Sequence, residues 1–299
     1  MEAAIGEPPL RVEAADPAAF LAAVTEFLLA GSEFLFLGLT TMVAAAPAKF
    51  AEAQLFVVRR GDQVVMAALR TAASYKFVMS RAGCDGATAA LVEAIAAANP
   101  AAPSGLLAPS ATSEPVARLL AERYGLPPPT KGIAERYLVA KAVRDPPRGL
   151  PAGGLRLLAA ADEPLLAGWC EAFAEDVGVD AAMRKPGAET VANFAGRLFV
   201  WCGGEGGSGS PLCMAGFSGD SQPPGAQRVS MVYTPPEQRK KGYAGAAVHA
   251  LTAKLLAEGQ PHVGIVTDAS NPTSNKVYES VGFEFVADGQ NWWLKPEPG

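Results

Sequence analysis

The sequence predicts an α+β chain with a mixed sheet, folded as two similar units in tandem. Three observations carry that expectation. Some stretches repeat apolar residues at helical spacing, while others hold short apolar runs between turn residues. A Pro/Gly-rich stretch, Asp145-Pro146-Pro147-Arg148-Gly149-Leu150-Pro151-Ala152-Gly153-Gly154, divides the 299 residues near their middle. The two halves also share a rhythm. Leu55-Phe56-Val57-Val58 opens a hairpin as Leu198-Phe199-Val200-Trp201 does, and Met66-Ala67-Ala68-Leu69 answers Met214-Ala215-Gly216-Phe217. The domains are accordingly placed at 1–150 and 151–299.

In the first half, residues 1–15 read as a loose end. Asp16-Pro17 is a helix start, with Pro at the first helical position, and Phe20, Leu21, Val24, Phe27 and Leu28 follow at helical spacing. A second helix is expected over 34–45. Strands are expected at 55–59 and 64–70, joined by a tight turn at Arg60-Gly61-Asp62-Gln63. The Arg-Gly-Asp there is read as a hairpin turn rather than an adhesion motif. A third strand at 75–81 precedes a helix at 87–98, a short strand at 105–108, a helix at 114–124 and a strand at 136–143.

In the second half a strand at 155–158 leads to a helix from Asp162, taken as its N-cap, to about Val177. A helix at 188–197 follows, then strands at 198–202 and 212–218 around the Gly/Ser loop 203–211. Residues 219–227 form a further loop. Next comes the stretch around which the chain is organised. An extended segment, Arg228-Val229-Ser230-Met231-Val232-Tyr233-Thr234, stops at Pro235-Pro236, which cannot donate ladder hydrogen bonds. The basic turn Arg239-Lys240-Lys241-Gly242-Tyr243-Ala244 opens an Ala-rich helix to about Glu258. A strand at 263–267 leads to a helix beginning near Asn271. Two strands, 283–287 and 291–294, close the chain.

Composition excludes several functions. With 49% hydrophobic and only 18% charged residues, the chain can bury a substantial core. A net charge of −5 argues against a nucleic-acid binder working through a basic face. Cys84, Cys170, Cys202 and Cys213 are scattered without a C-x-x-C, and with only His249 and His262 beside them a zinc site is not expected. The N-terminus lacks the basic segment of a signal peptide, and Glu26, Gly31 and Glu33 break the apolar run 20–46. The expectation is a cytoplasmic protein with no membrane span.

The basic turn has a direct chemical meaning. The first turn of a helix carries free N–H groups and partial positive charge, so it accepts anions. Gly242 and Ala244 leave that backbone uncovered, and Arg239, Lys240 and Lys241 add charge. It is a pyrophosphate cradle without the G-x-x-x-x-G-K-[ST] or G-x-G-x-x-G patterns. A helix that merely starts with solvated basic residues is the plainer alternative.

With its flanking elements, this stretch resembles the GCN5-related N-acetyltransferase (GNAT) superfamily. Arg239-x-x-Gly242-x-Ala244 is similar to that family's R/Q-x-x-G-x-G/A coenzyme A loop. The stretch from Asn271 through Ser274, Asn275 and Tyr278 to Gly282-Phe283 is similar to its N-x-x-[AS]-x-x-x-Y-x-x-x-G-F motif. The resemblance covers residues 155–299. It implies the acyl-CoA N-acyltransferase fold, acetyl-CoA as co-substrate with no metal, and acetyl transfer to the amine of a small-molecule or amino-acid-like acceptor. A non-catalytic acyl-CoA-binding or protein-interaction module on the same fold is the alternative. No nucleic acid or membrane is expected as partner, and a homodimer is compatible with the sequence.

Under that resemblance the pantetheine arm pairs with the backbone of Val232, Tyr233 and Thr234, which requires this strand to splay from 263–267. The pyrophosphate lies on the N–H groups of Lys240, Lys241, Gly242, Tyr243, Ala244 and Gly245, with Arg239 as scaffold or phosphate contact. A backbone N–H of 232–234 serves as oxyanion donor, and Tyr278 either protonates the leaving thiolate or packs under the cofactor. Asn271 and Asn275 suit hydrogen bonds to the cofactor, although Asn271 before Pro272 equally suits a helix cap. Glu171 and Glu175, with Asp176 beside them, are candidate bases, receptors for a cationic acceptor, or a solvated helix end. The first half has Ser80-Arg81-Ala82-Gly83-Cys84-Asp85-Gly86 where the loop should be. Asp85 at a helix start repels phosphate, so this half is expected to be a degenerate copy that binds no coenzyme A. An unrelated α+β lid is the alternative, and the half is expected to wall the acceptor cleft, which would favour a small substrate.

Overall fold

The computed structural model describes residues 7–31, 33–146, 149–178, 184–219 and 225–295. Parts of the stretch 145–154 and of the loop 219–227 lie outside the described residues. The chain divides into two compact units. The first takes Met1–Arg136 together with Ala287–Glu297, and the second takes Tyr137–Val286.

Along the first half run β1 (Leu10–Ala14), α1 (Pro17–Ala30), α2 (Phe34–Ala45), β2 (Gln54–Arg60), β3 (Gln63–Arg70), β4 (Phe77–Met79), α3 (Ala87–Ala98), β5 (Gly105–Pro109), α4 (Ser110–Arg123) and β6 (Thr130–Ala140). Along the second run β7 (Gly154–Leu157), α5 (Glu163–Asp176), α6 (Gly187–Asn193), β8 (Leu198–Cys202), β9 (Pro211–Ser218), β10 (Arg228–Tyr233), α7 (Tyr243–Ala257), β11 (Val263–Asp268), α8 (Pro272–Val281) and β12 (Glu284–Trp293). Each half therefore repeats the order β-α-α-β-β-β-α-β-α-β. The strand β1, which pairs antiparallel with β2, corrects the loose end expected there and makes the repeat complete.

In the first unit, Asp16 caps α1 by accepting from the N–H groups of Ala18 and Ala19, and Phe20, Val24 and Leu28 line its buried stripe. Gly61, at φ +61°, turns the β2–β3 hairpin, as the Arg-Gly-Asp reading requires. Phe77, Leu91, Ile95, Leu106 and Leu120 are fully buried in one core. The sheet is completed by β12, antiparallel to β5 from Gly289↔Pro109 to Trp293↔Gly105. A side chain at Gly105 would lie 2.1 Å from the Trp292 carbonyl oxygen, so that pairing admits only glycine.

In the second unit the strand order is β7-β8-β9-β10-β11, with β6 beside β11. Leu138 and Ala140 of β6 are buried with Val229, Leu251, Val263, Ile265 and Phe283. The final strand of each half thus contributes residues to the other unit. The Pro/Gly stretch 145–154 lies inside the second unit, because the unit boundaries fall within β6 and β12.

Four further details depart from the sequence expectations. The strand expected at 75–81 is regular only over Phe77–Met79. Helix α4 starts at Ser110, four residues before the expected Glu114, and passes through Pro115. The last two strands are one, since Asp288-Gly289 does not interrupt β12. Asp162 does not cap α5 with its side chain. Its carboxylate turns back to Arg156 at 2.5 and 3.0 Å and accepts the Ala159 N–H, and the arginine holds it below the usual carboxylate range.

Candidate active site

The site is built on one irregular strand. β10 pairs antiparallel with β9 from Arg228↔Ser218 to Tyr233↔Met214, with an extra residue between Ser230 and Tyr233. At this bulge Met231 takes φ +52°, a conformation that costs a non-glycine residue roughly 1–3 kcal/mol and concentrates at functional sites. The bulge turns the strand's side chains over. Val229 packs into the core with α7, whereas Tyr233 and Met231 pack with Leu166 and Cys170 of α5. On its other edge β10 pairs in parallel with β11 at Arg228↔Gly264 and Val229↔Ile265, and the two strands then part. Val232, Tyr233 and Thr234 lie beyond the parting point, which is the splay the sequence reading required. An extended, amide-bearing chain could take up the vacated ladder positions.

Immediately downstream is the helix entry. Gly242 is the N-cap of α7 with φ +86° and ψ 1°, and no side chain caps the helix. The N–H groups of Tyr243, Ala244 and Gly245 form its first turn. A methyl at Gly245 would meet nothing nearer than Val277 Cγ1 at 3.8 Å, so that surface is uncrowded. Lys240 takes φ +63° and its ammonium has no partner among the described residues, while Lys241 Nζ donates to Gln238 Oε1 at 2.9 Å. Arg239 turns away from the helix. Its Nε donates to the Thr234 carbonyl at 2.9 Å and its NH2 to Asp176 Oδ2 at 2.6 Å. Both of these contacts are to protein groups.

Helix α8 supplies the buried hydroxyl. Asn271 Oδ1 accepts the Ser274 N–H at 3.1 Å, so Asn271 is the helix cap. Asn275 is 5% exposed and donates to the Asp268 and Ala269 carbonyls, each at 3.3 Å, while its own Oδ1 is buried without a partner. The two asparagines thus hold the β11–α8 turn. Tyr278, one turn further on, packs edge-on to Phe283 at 6.2 Å. Burial pushes its phenol up to about 12 and pushes the nearby Cys213 thiol up to about 12. At neutral pH Tyr278 is a protonated donor in an apolar wall.

The three acidic residues near the end of α5 are engaged. Glu171 Oε1 accepts the Gly187 N–H at 2.9 Å, at the start of α6. Glu175 pairs with Arg184 at 3.1 Å, and Asp176 with Arg239. His249 lies mid-helix with its Nε2 3.2 Å from Asp145 Oδ1. Trp169 of α5 packs against Tyr233 at 6.2 Å. Among the described residues no group of His, Cys, Asp and Glu could hold a metal ion, and no helix is long and apolar enough to cross a membrane.

The first unit repeats the geometry and closes it. β4 pairs in parallel with β5 at Phe77↔Leu106 and Val78↔Leu107, and Gly86 at φ +80° is the N-cap of α3 with no capping side chain. Beyond the parting point, however, the Ala82 N–H donates to Thr112 Oγ1 at 3.3 Å, so α4 fills the gap. Arg81 is held by Glu33 at 2.7 Å and by the Phe27 carbonyl at 2.8 Å. The seventh residue of α4 is the buried Val116, where the seventh of α8 is Tyr278. Sequence reasoning missed Thr112 and Met231. Nothing in a threonine or a methionine marks a plug or a positive φ in advance.

Comparison with known proteins agrees with this architecture. A family model described as FR47-like protein matches residues 221–294. No curated protein gives a significant match. Among solved structures, the chain is similar to a Drosophila protein at 13% identity and TM-score 0.65, covering 98% of this chain and 100% of that one. A GCN5-related N-acetyltransferase from Sphaerobacter thermophilus aligns at 15% identity and TM-score 0.59, covering 98% of each chain. A tandem GNAT protein from the clavulanic acid biosynthesis pathway, solved without AcCoA, aligns at 14% identity and TM-score 0.56, covering 97% of this chain and 100% of that one. These likenesses give the fold, which is that of the acyl-CoA N-acyltransferases.

Proposed function

We propose that the second unit binds acetyl-CoA and transfers its acetyl group directly to the amine of a small-molecule or amino-acid-like acceptor. The observation that carries the proposal is the conjunction at β10. A bulged strand with a free edge runs straight into an uncapped helix N-terminus whose entry glycine sits at φ +86°. The residues fit the co-substrate. The parted edge at Val232, Tyr233 and Thr234 suits the pantetheine amides. The amides of Lys240, Lys241, Gly242, Tyr243, Ala244 and Gly245 suit the pyrophosphate, with Lys240 as the available cation. The GNAT fold supports acetyltransferase chemistry in general.

When bound, acetyl-CoA supplies an acetyl group already activated as a thioester. The chain's residues then have three tasks. A backbone N–H on the free edge of β10 faces the charge that develops on the carbonyl oxygen, as a dipole fixed in place by the strand. Tyr278, protonated at neutral pH as any phenol is, donates its proton to the departing sulfur and regains one from solvent. Glu171 holds the entry of α6, and so shapes the acceptor wall rather than acting as a free carboxylate. Glu175 stays beside the wall as the solvent-facing carboxylate, and the ammonium proton leaves through water. Asn271 and Asn275 act on the site through α8, which they anchor.

The first unit, with its gap filled by Thr112 and no tyrosine at Val116, is read as a degenerate copy that holds no coenzyme A. A non-catalytic acyl-CoA-binding module remains the second reading, favoured by the engagement of Glu171 and Glu175. Calorimetric titration with acetyl-CoA, on the wild type and on Gly242→Glu, tests the cofactor. One site, lost in the variant, is expected, and no binding by the wild type sinks the proposal. Turnover of acetyl-CoA with a panel of amines then separates enzyme from binder.

A further inference from the structure

One guanidinium in the second unit joins three elements that the reaction needs in register. Arg239 leaves the loop with extended backbone, lays its Nε on the Thr234 carbonyl at 2.9 Å, and reaches Asp176 with NH2 at 2.6 Å. Its Cζ lies 5.8 Å from the centre of the Tyr233 ring, which in turn packs against Trp169. Thr234 is the last residue of the free strand edge. Asp176 is the last residue of α5, which carries Glu171, Glu175 and Trp169. The same side chain therefore fixes the end of the cofactor strand and the end of the acceptor helix.

We infer that Asp176 and Arg239 form a positioning pair, in which Arg239 registers the acceptor helix α5 against the cofactor strand β10 instead of binding phosphate. The inference rests on the proposed function for what the register serves, but the pair itself stands on the geometry. The alternative is that Arg239 leaves Asp176 when coenzyme A binds and contacts the pyrophosphate. The two differ in sign. A positioning arginine contributes little to cofactor affinity, and its loss loosens α5. A phosphate-binding arginine restrained by Asp176 contributes much, and freeing it by removing Asp176 tightens binding.

The test uses the full chain, with Asp176→Asn, Arg239→Gln, the double variant and the exchanged pair Asp176→Arg/Arg239→Asp. Hydrogen exchange is read at the amides of Val177 and Gly178, which close the last turn of α5 on Phe173 and Glu175. An exposed pair of this kind should make both single variants exchange about two- to fivefold faster, with the double no faster than either. The exchanged pair should recover part of the protection. Acetyl-CoA affinity by calorimetry should stay within about twofold for Asp176→Asn, Arg239→Gln and their double variant, whereas losing a charged phosphate contact costs about tenfold or more. The inference is overturned if Arg239→Gln weakens acetyl-CoA tenfold while α5 exchange is unchanged, or if Asp176→Asn tightens it. A wild type that fails to bind acetyl-CoA counts against the proposed function alone, since the exchange arm still decides the pair.

Discussion

Gly242 is the residue at which fold and ligand make separable demands. Its φ of +86° lies where an L-residue crowds its own backbone, at a cost of roughly 1–2 kcal/mol, or less for Asn, which tolerates this region. Space is not the obstacle, because an added Cβ would come no nearer than 3.9 Å to Pro151. Gly242→Ala should therefore lower stability by about 1–2 kcal/mol and the melting temperature by about 2–8 °C. Gly242→Asn should lower it by about half as much. Gly242→Glu should melt near the alanine variant, since its charge at a helix N-terminus offsets only a few tenths to 1 kcal/mol. Acetyl-CoA binding should order differently. The Ala and Asn variants should retain it within about tenfold, whereas Glu should abolish it by placing a carboxylate against the pyrophosphate. Thermal melts and calorimetry on the four proteins measure both. Equal melting for all four would refute the strain argument. Equal acetyl-CoA affinity for Ala and Glu would refute the placement of the pyrophosphate on α7.

Tyr278→Phe should lower turnover by about 10²-fold or more while leaving acetyl-CoA affinity near wild type, checked by steady-state rates beside calorimetry. Its folded pKa, about 12, lies above the 10.0 of an unperturbed phenol, so its contribution to stability is complete below pH 10 and is lost as the pH rises to 12. Tyr278→Phe should remove that part of the alkaline loss in urea titrations from pH 9 to 12, and an unchanged slope would count against its burial. Asn271→Ala should cost about 1 kcal/mol through the lost cap of α8, read as a shift in the denaturation midpoint. Glu171→Gln keeps an acceptor for the Gly187 N–H and should retain turnover. A fall of 100-fold there would instead make Glu171 the base.

Most elements are legible because their signals are local. Asp16-Pro17 starts α1 and the 55–70 hairpin turns at Gly61, as expected. The Arg239-x-x-Gly242-x-Ala244 loop locates α7 to within one residue, because only a glycine suits the αL entry. What escaped is set by partners distant in sequence. β1 is short and half polar, and becomes a strand only by pairing with β2. Glu171 reads as a free carboxylate until α6 brings Gly187 to it. The bulge at Met231 follows from a register mismatch between β9 and β10, which no single residue type announces. The unit boundaries were hidden for the same reason. Removing residues 1–150, the natural cut by composition, would take Leu138 and Ala140 out of the second unit's core. Truncation is therefore a poor probe of what the first half does for the acceptor.

The traded strands also set a timetable. As the chain leaves the ribosome, the first unit has every element except the one that pairs with β5, and that one is made only after α5 to α8. At about 5–20 residues per second, the nascent first half waits on the order of ten seconds with the edge of β5 unpaired. Leu106 and Leu107, buried in the finished protein, flank that edge during the wait. An open, apolar strand edge is a template for pairing with another chain, so production in the cell should depend on chaperone supply more than the finished molecule's stability suggests. The second half suffers no such delay, because its borrowed strand is already made when its own core begins to form.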